Sequence, residues 1–152
     1  MKLSVGMQAP DFKAEDQDGN IHQLSDYAGQ KLAIYFYPKD NTPGCTAQAC
    51  NIRDNYEELL KAGIKILGVS VQDAKSHKKF QEKYNLPFPL LIDTDHKMVE
   101  DYGVWGDKKF MGKSYKGTIR TTFLIDDMGK IKYIIDRVKT KDHAKQILTI
   151  WK

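Results

Sequence analysis

The chain has no apolar run approaching the ~18 residues that a membrane-spanning helix needs. It also lacks the apolar core of a secretory signal, because Asp11, Glu15, Asp16 and Asp18 interrupt the N-terminal stretch. A cytoplasmic protein without a membrane partner is therefore expected. Cysteine is scarce: Cys45 and Cys50 are the only two, too few for a disulfide scaffold. In a reducing compartment, two cysteines point instead to catalysis, metal binding or plain burial. An excess of one charge is missing too. Basic residues outnumber acidic ones by 24 to 20 and are scattered, with Lys78-Lys79 and Lys108-Lys109 the densest pairs. That pattern reads as solvated surface, so no nucleic-acid partner is expected. Repeats, low-complexity tracts and linkers are absent, which leaves a single domain over residues 1–152, long enough for a full core.

Metal binding finds little support. The Cys-x4-Cys spacing lacks a second ligand pair, and His22, His77, His96 and His143 show no ligand spacing to one another. All four histidines sit beside polar neighbours and are expected at the surface.

What is present centres on Tyr35 to Asp54, YFYPKDNTPGCTAQACNIRD. An apolar β-rich run, Leu32 to Tyr37, stops at Pro38, and the polar turn Lys39 to Gly44 follows. From Thr46 the pattern turns helical. A strand feeding a Pro/Gly turn that opens a helix places Cys45 at or just inside the helix N-terminus. Free backbone N–H groups and the helix dipole favour an anion there, hence a thiolate. Cys45 is read as a redox nucleophile and Cys50 as its partner, against the alternative of two inert buried thiols.

Around this stretch the pattern predicts an α/β architecture. Val5 to Phe12 is expected to be extended, Gln17 to Asn20 a turn, Ile21 to Leu24 a strand, and Ser25 to Gly29 a short helical turn. Lys31 to Tyr37 is a central strand. Thr46 to Ala62 reads as one long helix, with Ala49, Ile52, Tyr56, Leu59 and Leu60 on one stripe and Gly63 at its end. Ile64 to Val71 is a strand covered on both faces. Asp73 caps a helix that runs to about Tyr84. A short strand within Leu86 to Ile92 and a helix over Asp93 to Tyr102 follow. Val104 to Lys116 reads as a loop. Thr118 to Ile125 and Lys130 to Val138 form a hairpin, and a helix over Asp142 to Trp151 closes the chain. The sum is a parallel core with an antiparallel edge.

The two cysteines are five residues apart on one predicted helix. Five residues rise ~7.5 Å and turn ~500°, which separates their Cα atoms by ~8–9 Å. A disulfide wants ~4.4–6.8 Å. An intact helix therefore forbids the bond, and a disulfide here requires the first turns to unwind.

The chain resembles the peroxiredoxins, and within them the Bcp/PrxQ subfamily. The residues that carry the resemblance span nearly the whole sequence. They are Val5-Gly6 and Ala9-Pro10-Asp11-Phe12, then Phe36-Tyr37-Pro38 through Thr42-Pro43-Gly44-Cys45-Thr46. Gly103-Val104-Trp105-Gly106 and Arg120-Thr121-Thr122-Phe123-Leu124-Ile125-Asp126 continue it. Cys50 falls where the subfamily places its resolving cysteine. The resemblance implies a thioredoxin-like fold with peroxiredoxin insertions, a mixed central β-sheet flanked by helices. It also implies a catalytic set of Pro38, Thr42, Cys45 and Arg120, with Cys50 resolving. The implied activity is reduction of hydrogen peroxide and organic hydroperoxides without haem, flavin or metal, with thioredoxin as reductant. A monomer is expected, because resolution within one chain needs no second subunit. A redox sensor or holdase switched by the same disulfide is the alternative. A thiol–disulfide oxidoreductase is disfavoured, because its usual Cys-x-x-Cys motif is absent.

Overall fold

The structure is a computed structural model that describes residues 2–151. Five strands form its central sheet: β3 (Lys31–Phe36), β4 (Ile64–Ser70), β5 (Leu90–Ile92), β8 (Thr121–Ile125) and β9 (Ile131–Ile135). Their order is β5-β4-β3-β8-β9. β3, β4 and β5 run parallel, while β8 and β9 run antiparallel to their neighbours. The sheet is therefore mixed, as the sequence pattern predicts.

Alternation along β3 explains its unbroken apolar character. Leu32, Ile34 and Phe36 face one core with Met98, Val99, Tyr102 and Phe123. Ala33, Tyr35 and Tyr37 face the other with Cys45, Ala49, Ile52, Leu59, Phe80 and Ile147. A strand buried on both sides has no polar face to display. The second core is roofed by α1 (Pro43–Asp54), α2 (Tyr56–Lys61), α3 (Ala74–Tyr84) and α5 (His143–Ile150). The first core is covered by α4 (Lys97–Asp101) and the N-terminal segment, where β1 (Lys13–Glu15) pairs with β2 (Ile21–Gln23).

Several expected elements differ. The long helix breaks at Asn55, whose side-chain amide donates to the Asn51 carbonyl (2.8 Å) and competes with the backbone ladder. The apolar stripe continues across the break, which is why periodicity hides it. The helix also begins earlier, at Pro43, a residue whose missing N–H is harmless in a first turn. The Asp93 to Tyr102 helix shrinks to α4, because the Asp93 carboxylate accepts the backbone N–H groups of Met98 and Val99 (both 2.9 Å) and so caps a later start. The Val104 to Lys116 loop is instead a hairpin, β6 (Trp105–Phe110) with β7 (Lys113–Thr118). Its two-residue turn holds Met111 and Gly112, both at positive φ (52° and 79°), and a methionine gives no sequence signal for that geometry. The first strand lies at Lys13–Glu15, just beyond the Val5 to Phe12 segment, which lies along β9 through a bridge from Gln8 to Lys130 and a hydrogen bond from the Gly6 N–H to the Ile131 carbonyl (2.8 Å).

None of the four histidines is a surface residue. His77 and His143 are fully buried and hydrogen-bonded, while His22 and His96 are half-buried. Polar sequence neighbours misled there, because His77 and His143 find partners in Asp40 and Thr122, 37 and 21 residues away, while His22 is held by Asp16 and Tyr27 and His96 packs on Trp105.

Candidate active site

β3 delivers the chain to the carboxyl end of the parallel strands, where open α/β sheets place their ligands. Tyr37 still donates its backbone N–H to the Val69 carbonyl (3.1 Å), and Pro38, with no N–H, ends the pairing. The loop turns at Asn41 (φ 61°) and reaches Thr42, the N-cap of α1. The Thr42 hydroxyl makes no capping bond; it donates to the Lys39 carbonyl instead (2.8 Å). The Thr42 carbonyl takes the Thr46 N–H (2.8 Å), so the N–H groups of Gly44 and Cys45 belong to an uncapped helix start.

Cys45 is the third residue of α1 and is 1% exposed. Arg120 approaches it from just before β8. Its Nη2 donates to the Cys45 sulfur at 3.2 Å, and its Nη1 donates to Oε1 of Gln48 at 2.6 Å. The guanidinium thus bridges two residues one helical turn apart on the same face of α1. Gly44 makes room for it: a Cβ there would lie 3.2 Å from Nη2.

The surroundings register this charge. Burial pushes the Lys108 amine below the ordinary lysine range; the Arg120 charge adds to that shift and Cys45 opposes it. Lys108 donates to the Thr118 carbonyl at 3.0 Å. Burial, followed by the Cys45 charge, pushes ionisation of the Tyr35 hydroxyl well above the usual tyrosine range. That hydroxyl is buried without a hydrogen-bond partner, as is Nε2 of Gln48.

Of the expected residues, Cys45 and Arg120 meet directly, and Thr42 and Pro38 occupy the loop that leads into α1. Cys50 lies further along α1, partly exposed, and both thiols are free. Gln48 is the residue sequence reasoning missed. The available signal was a glutamine on the Ala49/Ile52 side of the helix, one turn after the cysteine. Phe88 packs in the core against Tyr35 (ring centroids 5.9 Å apart), while Phe110 is 67% exposed on the β6–β7 hairpin. Two larger grooves hold neither cysteine. One of about 540 Å³ runs between β9 and α5, and one of about 710 Å³ lies at the starts of β3 and β4. The contacts of Arg120 with Cys45 and Gln48, not cavity size, mark the site. Among the described residues, no helix is long and apolar enough to cross a membrane, and no group of three His, Cys, Asp or Glu side chains could hold a metal ion.

The sequence profile of the AhpC/TSA family matches residues 5–134. The chain belongs to that family. It is a peroxiredoxin of the Bcp/PrxQ kind: it is 49% identical to peroxiredoxin Bcp of Escherichia coli K12 over 146 residues, covering 96% of this chain and 94% of the relative. It is 45% identical to peroxiredoxin Bcp of Bacillus subtilis over 148 residues, covering 97% and 94% of the two chains. Among solved structures, the Xanthomonas campestris bacterioferritin comigratory protein superposes with a TM-score of 0.89 at 35% identity, covering 97% of each chain. That structure was described for its alkyl peroxide reduction activity and trapped intermediate/ligand complexes. The thioredoxin-like peroxiredoxin fold expected from the motifs is therefore the fold of this chain. Bcp-type peroxiredoxins are peroxidases, which places the chain among the oxidoreductases.

Proposed function

We propose that this peroxiredoxin reduces hydrogen peroxide and organic hydroperoxides through Cys45. The observation that carries the reading is the 3.2 Å contact between Arg120 Nη2 and the Cys45 sulfur at an uncapped helix start. Only a thiolate attacks a peroxide bond well, and an ordinary thiol is about 3% ionised at neutral pH. A helix N-terminus favours an anion by ~0.3–1 kcal/mol, up to ~2 when partly buried. A guanidinium at about 4 Å contributes ~4 kcal/mol at an effective dielectric near 20, before its own desolvation is subtracted. Arg120 is the larger contributor.

Charge alone does not account for catalysis, because a less basic thiolate is also a weaker nucleophile. The remainder comes from alignment. The Thr42 hydrogen is committed to the Lys39 carbonyl, so its oxygen accepts the hydroperoxide's O–H. Arg120 and the Cys45 N–H donate to the two peroxide oxygens, and Pro38 limits water with an apolar wall. The sulfur lone pair attacks the nearer oxygen, the O–O bond breaks, and the leaving alkoxide or hydroxide takes up a proton. Cys45 becomes a sulfenic acid. The Cys50 sulfur displaces its oxygen as water, forming a Cys45–Cys50 disulfide, which requires the first turns of α1 to unwind. A dithiol reductant, thioredoxin, then returns both thiols by exchange through the partly exposed Cys50. We assign the chain to the cytoplasm, as a monomer needing no metal or organic cofactor.

Replacing Cys50 by Ser tests this reading. The variant consumes one equivalent of peroxide per chain and loses thioredoxin-supported turnover. Normal turnover in the variant would remove Cys50 from the cycle. Stoichiometric oxidation without turnover in the unaltered protein would instead fit a redox switch.

A further inference from the structure

A buried cluster beside the thiol site takes no part in the chemistry above. Asp40 and His77 are paired with side chains 3% and 0% exposed. His77 Nδ1 lies 2.6 Å from Asp40 Oδ2, and His77 Nε2 lies 2.8 Å from the Leu91 carbonyl oxygen. Asp40 also accepts the Tyr37 hydroxyl (2.6 Å, on Oδ1) and the Ser76 hydroxyl (2.7 Å, on Oδ2).

Both ring nitrogens of His77 and both carboxylate oxygens of Asp40 are engaged in hydrogen bonds. The pair is a closed, fully satisfied network, the kind that fixes one geometry.

What it fixes is the loop. Asp40 lies between Lys39, whose carbonyl receives the Thr42 hydroxyl, and Asn41, whose side chain accepts the Tyr84 hydroxyl (3.0 Å). Ser76, His77 and Tyr84 all belong to α3, so one helix grips the loop at consecutive residues. None of these contacts reaches Cys45, which is held by Arg120, itself anchored on Gln48. Arg120, the larger influence on the sulfur's charge, and the substrate-aligning loop thus hang on separate supports.

We propose that Asp40, clamped by His77 and Ser76, is a positioning residue for peroxide, acting through Thr42. The proposal rests on Thr42 accepting the hydroperoxide O–H. Loss of the clamp displaces the acceptor and leaves Arg120 on the sulfur, and a misplacement of about 1 Å costs on the order of 10²-fold in rate.

The test compares two reactions of Cys45 in the reduced full-length protein. Hydrogen peroxide requires an aligned oxygen; iodoacetamide requires only a thiolate. Asp40→Ala and His77→Ala lower the peroxide rate constant on the order of 10²-fold and leave the iodoacetamide rate nearly unchanged. Asp40→Asn recovers most of the peroxide rate, because an amide N–H donates to neutral Nδ1 while its carbonyl still accepts from Tyr37. Should Asp40→Ala fail to fold, Ser76→Ala carries the comparison, with the same selectivity and a smaller loss. Equal losses in both reactions, an unchanged peroxide rate, or an Asp40→Asn loss matching Asp40→Ala would each overturn the proposal. Failure of the peroxidase reading itself would show separately, as a slow peroxide reaction in the unaltered protein.

Discussion

A Cβ on Gly44 would lie 3.2 Å from Nη2 of Arg120, the nitrogen that itself sits 3.2 Å from the Cys45 sulfur. The glycine is helical rather than at positive φ, so space and not backbone freedom is what it supplies. Gly44→Ala forces the guanidinium back by a few tenths of an ångström, while alanine improves the helix by up to ~1 kcal/mol. Thermal stability should hold or rise as the peroxide rate constant falls, by roughly tenfold or less given the size of the shift. Stopped-flow kinetics beside a melting curve reads both; an unchanged rate would mean that the approach of Arg120 is not critical.

Gln48 holds the other arm of the same guanidinium at 2.6 Å. Gln48→Ala frees Arg120 to swing and also removes a buried amide nitrogen that has no partner. The peroxide rate should fall about tenfold through misalignment. The change in melting temperature should be small, since losing an orphaned polar group offsets the lost bond. Parallel kinetic and thermal measurements separate the two effects.

The sequence carried most of the central sheet, because apolar runs bounded by Pro, Gly and Asp report strands directly, as at Leu32 to Tyr37. It carried the position of Cys45 for the same reason: a Pro-Gly turn opening a helix is a local signal. It did not carry the break at Asn55, where a side chain competes with the backbone while the apolar stripe runs on. Nor did it carry the β6–β7 hairpin, whose turn needs positive φ at Met111. Gln48 and the Asp40–His77 pair were hidden because their meaning lies in partners 72 and 37 residues away. The Arg120–Cys45 contact spans 75 residues and was legible only through resemblance to a family.

Tyr35 offers a clean stability test. Its hydroxyl is buried without a partner, and its ring fits because Gly68 is bare: a Cβ there would lie 2.9 Å from the ring. Tyr35→Phe removes an unsatisfied group and leaves the packing intact. The unfolding free energy should rise by about 1 kcal/mol, measured by urea denaturation. A decrease would reveal a hydrogen bond that the hydroxyl makes.

His143 sets an acid limit on stability. Burial pushes its pKa down from 6.5 to about 4, although its hydrogen bond to Gln146 opposes that shift. Between those values the unfolded chain binds a proton that the folded chain refuses. Unfolding free energy therefore rises with pH across the window, and acidification from about pH 6.5 to about pH 4 removes about 3 kcal/mol through this group. Denaturant titrations along that window, repeated with His143→Asn, should show the slope flattened in the variant. An identical slope would assign the acid sensitivity elsewhere.

The most direct test of the whole account mixes the fully reduced protein with hydrogen peroxide in a stopped-flow instrument, with mass spectrometry of the product. Cys45 should react at least about a hundredfold faster than free cysteine, the scale set by preorganised donors, and end as the Cys45–Cys50 disulfide. A rate no greater than that of free cysteine would contradict it.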